Sequence, residues 1–286
     1  MKTWLVFFVV LICVGCNGST EPTKATATQS VIANNRGWGA VGTLDDLWQQ
    51  VDRDTQSMLV AASLLKRTAD LSSWLGDVER LKPYLQEQLP QLSGKTLRIV
   101  LEQHDDQSGG GLSGAHTSKA SQAKLYRLLE NSHPRLLSLE GCYMNRFSQE
   151  AFIAEVSKSV RQISVLNGEP EPGPMPPGWF EQISQRNRMI DFAVKHPEVI
   201  SVGGEWRGVH MLDVLFMSPN APVKAKLAFI PGSRLRSLNT AARMNSLMQQ
   251  YKMNECFIVI GLFHQEDFQL LSKLFGVKFV FYNTVN

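Results

Sequence analysis

The chain lacks the signatures of the best-marked activity classes. It contains no HExxH, no GxSxG, no Walker-type phosphate loop and no GxGxxG, the motifs that announce zincins, serine α/β-hydrolases, P-loop proteins and dinucleotide binders. Gly109-Gly110-Gly111 comes nearest to a phosphate loop, but no Lys-Ser/Thr comes after it, and it reads as a loop beside a cleft. A dominant charge is missing too. The 29 Lys and Arg against 26 Asp and Glu give a net charge of +3, well mixed along the chain. Without a basic stripe, nucleic acid is not expected as a partner. Cysteine is scarce, four in all, and two of these lie in the first sixteen residues. Cys142 falls just past the C-terminal end of one expected strand and Cys256 at the N-terminal end of another. In a parallel sheet those are opposite edges, too far apart for a disulfide, so two buried thiols are expected.

The longest apolar run is short as well. Trp4–Leu11 is unbroken, but the apolar segment falls well below the roughly 20 residues of a spanning helix. With Lys2 before it and Cys13-Val14-Gly15-Cys16 after it, the segment reads as an export signal over residues 1–16. It resembles a bacterial lipobox, with Cys13 where Leu is commonest, which makes Cys16 the expected site of lipidation. The CxxC that Cys13 and Cys16 form carries little redox or metal weight inside a hydrophobic leader. Asn17, in place of Asp, implies by the same resemblance an outer-membrane anchor facing the periplasm. Residues 17–36 are rich in Ser, Thr, Ala and Asn without apolar periodicity, the composition of a flexible tether. Residues 37–286 are expected to form a single domain.

That domain opens with helices. Thr43 and Asp46 make a capping-box-like start, and Leu47, Val51 and Met58 continue at helical spacing. A second helix over Leu71–Leu85 is expected to be disturbed near Pro83. From residue 97 strands and helices alternate: Leu97–Leu101, a helix over Ser121–Glu130, Leu136–Leu139, and a helix that Ser148 caps and Asn167-Gly168 stops. Five prolines in Glu169–Gly178 impose an extended loop. Ser184–Val194 reads as one helix, Val199–Val202 as a strand, and Val223–Ile230 alternates in the manner of a strand. A helix over Thr240–Gln250, a strand over Cys256–Ile260, a helix over Asp267–Phe275 and a strand over Val277–Tyr282 complete the chain. The fold class is α/β: a largely parallel central sheet flanked by helices, behind a helical N-terminal part (37–95).

The order strand, x-x-His, helix, strand occurs twice, around His104 and around His264, as a weak internal repeat. Loops after parallel strands share one sheet edge, where ligands bind. Both histidines should therefore meet there with Glu140, which ends the second strand, and with Glu102, two residues before His104. Two histidines and one or two carboxylates suit a divalent metal, with Glu102, His104, Glu140 and His264 as ligands. They suit equally a histidine base oriented by a carboxylate. Elsewhere the plainer readings prevail. His116, His133 and His210 read as surface residues, and Glu205-Trp206-Arg207 after Gly203-Gly204 as a turn. Pro231-Gly232-Ser233-Arg234 reads as an ordinary turn rather than an anion nest. Arg243 either holds an anion or lies on a solvated helix face.

Leu101-Glu102-Gln103-His104-Asp105, Gln122, Leu139-Glu140-Gly141, Arg243-Met244 and Gly261-Leu262-Phe263-His264 occur in an order that resembles the erythromycin-esterase/ChaN-like and TraB/Tiki-like superfamily, over roughly 95–286. The second G-x-x-H motif matches in full. Leu101 stands where the first motif has Gly, and one Glu rather than a pair comes after the second strand. The resemblance implies three functional expectations. The first is a hydrolase with His104 as base, Glu140 as orienter or metal ligand and His264 as second ligand or stabiliser, acting on a small molecule or peptide. The second is a metal- or haem-binding lipoprotein, with His104, His116 or Tyr143 as haem ligands. The third is a degenerate, non-catalytic envelope interaction module.

Overall fold

The computed structural model describes residues 38–39, 41–66, 68–102, 119–217 and 221–284. The leader with Cys16, the whole of the tether, His104, His116 and the glycine-rich loop lie outside the described residues. Among the described residues no helix is long and apolar enough to cross a membrane.

Two helices come first, α1 (Leu44–Ala62) and α2 (Ala69–Gln88). The expected capping box is present: the Thr43 hydroxyl accepts from the Asp46 N–H at 3.2 Å, and Asp46 accepts the Thr43 N–H at 2.9 Å. Contrary to expectation, α2 runs through Pro83 without interruption. Pro83 lies on the exposed side, while Val78, Leu81 and Leu85 are fully buried. Packing of that opposite face outweighs the lost backbone hydrogen bond.

Strands and helices then alternate: β1 (Thr96–Glu102), α3 (Lys119–Ser132), β2 (Leu136–Leu139), α4 (Gln149–Asn167), α5 (Trp179–Arg186), α6 (Arg188–Lys195) and β3 (Ile200–Gly203). The chain continues with α7 (Arg207–Met217), α8 (Val223–Lys226), α9 (Phe229–Gln250), β4 (Glu255–Gly261), α10 (Gln265–Phe275) and β5 (Lys278–Asn283). The Ser184–Val194 helix is in fact α5 and α6, divided at Asn187. Its side-chain oxygen accepts the Met189 and Ile190 N–H groups at 3.0 and 3.2 Å and starts a new helix. Val223–Ile230 is not a strand but α8 and the first residues of α9. Val223 and Leu227, four apart, are 79% and 75% exposed, while Ala225 and Ala228 face inward. Pro231–Arg234, read as a turn, lies within the opening turns of α9, where proline is tolerated.

All five strands are parallel, in the order β3-β2-β4-β1-β5. Parallel strands covered on both faces read as continuous apolar runs, as β1 and β4 do. One face carries Leu97, Ile99, Leu101, Ile258 and Ile260 against α1, α2, α7, α9 and α10. The other carries Val100, Leu137, Leu139, Phe257 and Val259 against α3, α5, α6 and much of α4. The N-terminal helices thus share a core with the sheet. Cys142 and Cys256 are buried and unbridged.

The central neighbours β1 and β4 send their chains opposite ways. From β1 the chain passes β4 to reach β2, with α3 on one face; from β4 it passes β1 to reach β5, with α10 on the other. These two connections span the segments in which the sequence order strand, x-x-His, helix, strand recurs; His104 itself lies outside the described residues. Their divergence opens a crevice at the C-terminal ends of β1 and β4, the switch point where α/β sheets bind ligands.

One buried ion pair ties α1 to α9. Asp54 takes two hydrogen bonds from Arg234, at 2.9 and 2.6 Å, and the Trp38 ring lies 5.2 Å from that guanidinium. Removing one partner strands a charge in the core. Asp54→Ala should therefore cost about 3–5 kcal/mol in urea unfolding, whereas Asp54→Leu/Arg234→Met should cost far less. Equal losses in the two variants would contradict this account.

Candidate functional site

Glu102 is the last residue of β1, paired in register with Gly261 at the end of β4. It is 2% exposed and accepts a hydrogen bond from the Gln122 side chain on α3, at 3.3 Å. Gln122 is itself held by the Arg188 N–H at 2.6 Å, so the start of α6 fixes it. Burial, and after it the negative charge of Glu140, push the Glu102 carboxyl up to about 8; the Gln122 bond offsets only part of this. Near neutral pH Glu102 is a carboxylic acid.

Glu140 lies one residue past β2, and its Oε1 stands 3.8 Å from His264 Nε2 and 3.6 Å from the Arg236 guanidinium. His264 ends the short turn Leu262–His264 that leaves β4. Its Nδ1 lies 2.6 Å from the Ser237 hydroxyl, whose proton goes to Asp267 Oδ2. Asp267 Oδ1 accepts from Trp38 Nε1 at 2.8 Å. With the Ser237 proton so committed, neutral His264 must donate from Nδ1, which leaves Nε2 as a bare nitrogen facing Glu140.

Beneath these groups lies Arg236 of α9. It reaches Glu205 at 3.0 and 2.9 Å and Asp213 of α7 at 3.0 Å. His210 Nδ1 adds a contact to Glu205 at 2.6 Å. Burial alone would raise Glu205, but Arg236 and His210 outweigh it and hold the carboxyl at about 2. For Asp213 burial prevails over Arg236 and the carboxyl is raised. The Arg236 guanidinium is itself held above its usual range, its carboxylates outweighing burial. Gly203 and Gly204 let Glu205 reach this position: a Cβ would stand 2.3 Å from the Tyr143 backbone at the first and 2.2 Å from Ser138 Oγ at the second.

The expected residues are thus partly united. Glu102, Glu140 and His264 share the crevice. Tyr143 lies beside His210 instead, ring to ring at 5.6 Å, with its hydroxyl 2.6 Å from Ser159. His133 is exposed as expected. His210 is not a surface residue; Glu205 does lie in the bend between β3 and α7, but its side chain is buried with His210 around Arg236. Arg243 is half-buried and bonds carbonyl oxygens, on neither a solvated face nor a carboxylate. Arg236, Asp213, Ser237 and Asp267 carry no motif that marks them in the sequence. Two weaker signals do exist: a lone Asp213 inside the apolar run Met211–Met217, and Asp267 three residues after His264.

Glu140 Oε1 and His264 Nε2 are close enough to share an ion at metal–ligand distances of about 2.0–2.2 Å. The Arg236 guanidinium already stands against that oxygen, however, as a fixed positive charge. Among the described residues no group of three or more His, Cys, Asp or Glu is placed to hold a metal. These residues alone do not fit a resident cation. Nor is Tyr143 offered to haem iron, its hydroxyl being engaged by Ser159 and, at 3.4 Å, by Met211 Sδ.

Glu102 makes stability depend on pH. Folded, it keeps its proton up to about pH 8; its ordinary value is 4.5. The neutral form's contribution is complete below pH 4.5 and is lost as pH rises toward about 8, at roughly 1 kcal/mol per pH unit. Glu102→Gln should flatten the melting-temperature profile over that interval, and a profile parallel to the parent would contradict the assignment. No protein-family model, curated protein or solved structure matches the chain.

Proposed function

We propose that the crevice between β1 and β4 is a hydrolytic acid–base centre in a lipid-anchored envelope protein. The observation that carries this reading is a neutral carboxylic acid, Glu102, at the same strand edge as the bare Nε2 of His264. A carboxyl kept protonated by burial can give a proton, and an imidazole nitrogen without a hydrogen can take one.

In this reading a water gives its proton to His264 Nε2 while its oxygen attacks the carbonyl of an ester or amide. The carbon–heteroatom bond then breaks, and the leaving group takes the proton of Glu102. Transfer of the proton from His264 to the Glu102 carboxylate restores both groups. Glu140, between His264 and Arg236, orients the imidazole and stabilises it once charged. His104, two residues beyond Glu102 in the sequence, is a second candidate base. The resemblance to the erythromycin-esterase/ChaN-like superfamily supports the substrate class of small esters and lactones. The lipobox-like leader supports attachment through Cys16 to the outer membrane, facing the periplasm. A second reading rests on Leu101 in place of the motif's Gly: a member that keeps the fold and serves as an interaction module.

The test uses the soluble form from Asn17 onward with aryl esters and lactones. His264→Ala should lose on the order of 10²–10⁴-fold in kcat/KM while keeping the far-UV circular dichroism of the folded parent. Glu102→Gln should lose the fall in rate that the parent shows above about pH 8. No turnover by the parent, or equal turnover in His264→Ala, defeats the hydrolase reading and favours the module. Stoichiometric metal in the parent that is absent from His264→Ala would favour a metal-binding protein.

The anchor is tested in cells. Labelled palmitate should enter the full-length chain but not Cys16→Ser, which should fractionate as soluble. Equal labelling of the two would remove the lipoprotein assignment.

A further inference from the structure

The run Gly203-Gly204-Glu205-Trp206-Arg207 serves two places. Glu205 turns in to Arg236, whereas Trp206 and Arg207 wall an open cavity of about 350 Å³, completed by Tyr143, by Arg243 and by side chains of α2 and α4. The size suits a small ligand.

Charge in this cavity is unbalanced. Four cationic side chains line it against two carboxylates. Both carboxylates are already engaged: Asp77 accepts from Arg80 at 2.8 Å and from the Gly208 N–H at 2.9 Å, and Glu155 pairs with Arg207. That leaves Lys158 and Arg243 with no carboxylate in ion-pair contact among the described residues. Arg243 is held by neutral oxygens from three segments: Glu205 O at 3.1 Å, Tyr143 O at 3.1 Å, Met144 O at 3.4 Å and Asn145 Oδ1 at 3.2 Å. Its guanidinium is therefore fixed in place and half-buried, with no carboxylate in contact among the described residues; Glu205 and Asp77 act on it only from a distance. Burial works against the charged form and lowers its proton affinity. An anion entering the cavity would relieve that cost. Trp206 and Tyr143 add aromatic walls, their rings already packed by Tyr84 at 4.5 Å and Arg80 at 5.9 Å, and by His210 at 5.6 Å and Arg207 at 5.0 Å.

We propose that this cavity binds a small organic oxyanion, its acid group toward Arg243 and Lys158. The charge arrangement belongs to α2, α4, α7 and α9, and the proposal does not depend on hydrolysis at His264.

Benzoate and phenyl phosphate, titrated calorimetrically into the soluble form, distinguish carboxylate from phosphate recognition. At least one should bind with a millimolar or lower Kd, and more weakly as salt rises. Lys158 is exposed, so Lys158→Glu should keep the parent melting temperature yet weaken binding about tenfold or more. Lys224→Glu, the same charge change on α8, should leave binding unaltered, and so should His264→Ala. The proposal fails if neither ligand binds at about 10 mM. It also fails if Lys158→Glu and Lys224→Glu weaken binding equally, or if His264→Ala abolishes it.

Discussion

A single guanidinium makes the polar interior of this protein tolerable. Glu205 and Asp213 are among its most deeply buried side chains, and each would be costly alone in an apolar surround. Arg236 reaches both, and extends toward Glu140 at the crevice. A Lys could not replace it, because one ammonium cannot present donors in a fixed fork to two carboxylates on different elements. The position of α9 over the sheet, the inward turn of Glu205 after β3 and the placing of Glu140 all depend on satisfying that one cation.

The same helix sets the histidine. Ser237 is the next residue after Arg236, and its hydroxyl stands between His264 and Asp267. One turn of α9 therefore both neutralises the carboxylates below the crevice and chooses the tautomer of the imidazole beside it. The sheet supplies the rest, since Glu102 and Gly261 are register partners at the divergence of β1 and β4. Acid and base come from rigid strand ends rather than from long loops, which keeps their geometry constant.

The strands are legible in the sequence because β1, β2 and β4 are covered on both faces and read as apolar runs between polar ends. Their shared edge comes from the parallel arrangement, and with it the meeting of Glu140 and His264. Val223–Ile230 misleads because Lys224 and Lys226 imitate a two-residue period over too few residues to exclude one helical turn. His210 misleads for another reason. Its partner Glu205 belongs to the preceding connection, and the Arg236 that balances them lies two elements further on. Nothing local marks such a triad. Pairings of that kind depend on how α7 and α9 pack, which periodicity does not encode.

The register of β1 bears on how the chain is made. Thr96 pairs with Glu255 on one side and Lys278 on the other, so this central strand has no neighbour until the last part of the sequence exists. Closing so long a loop is slow. A ribosome-bound chain can form α1 and α2 early, but β1 stays unpaired until β4 and β5 have been made. Late closure keeps the nascent polypeptide threadable, which is what the proposed export through a narrow secretion pore demands.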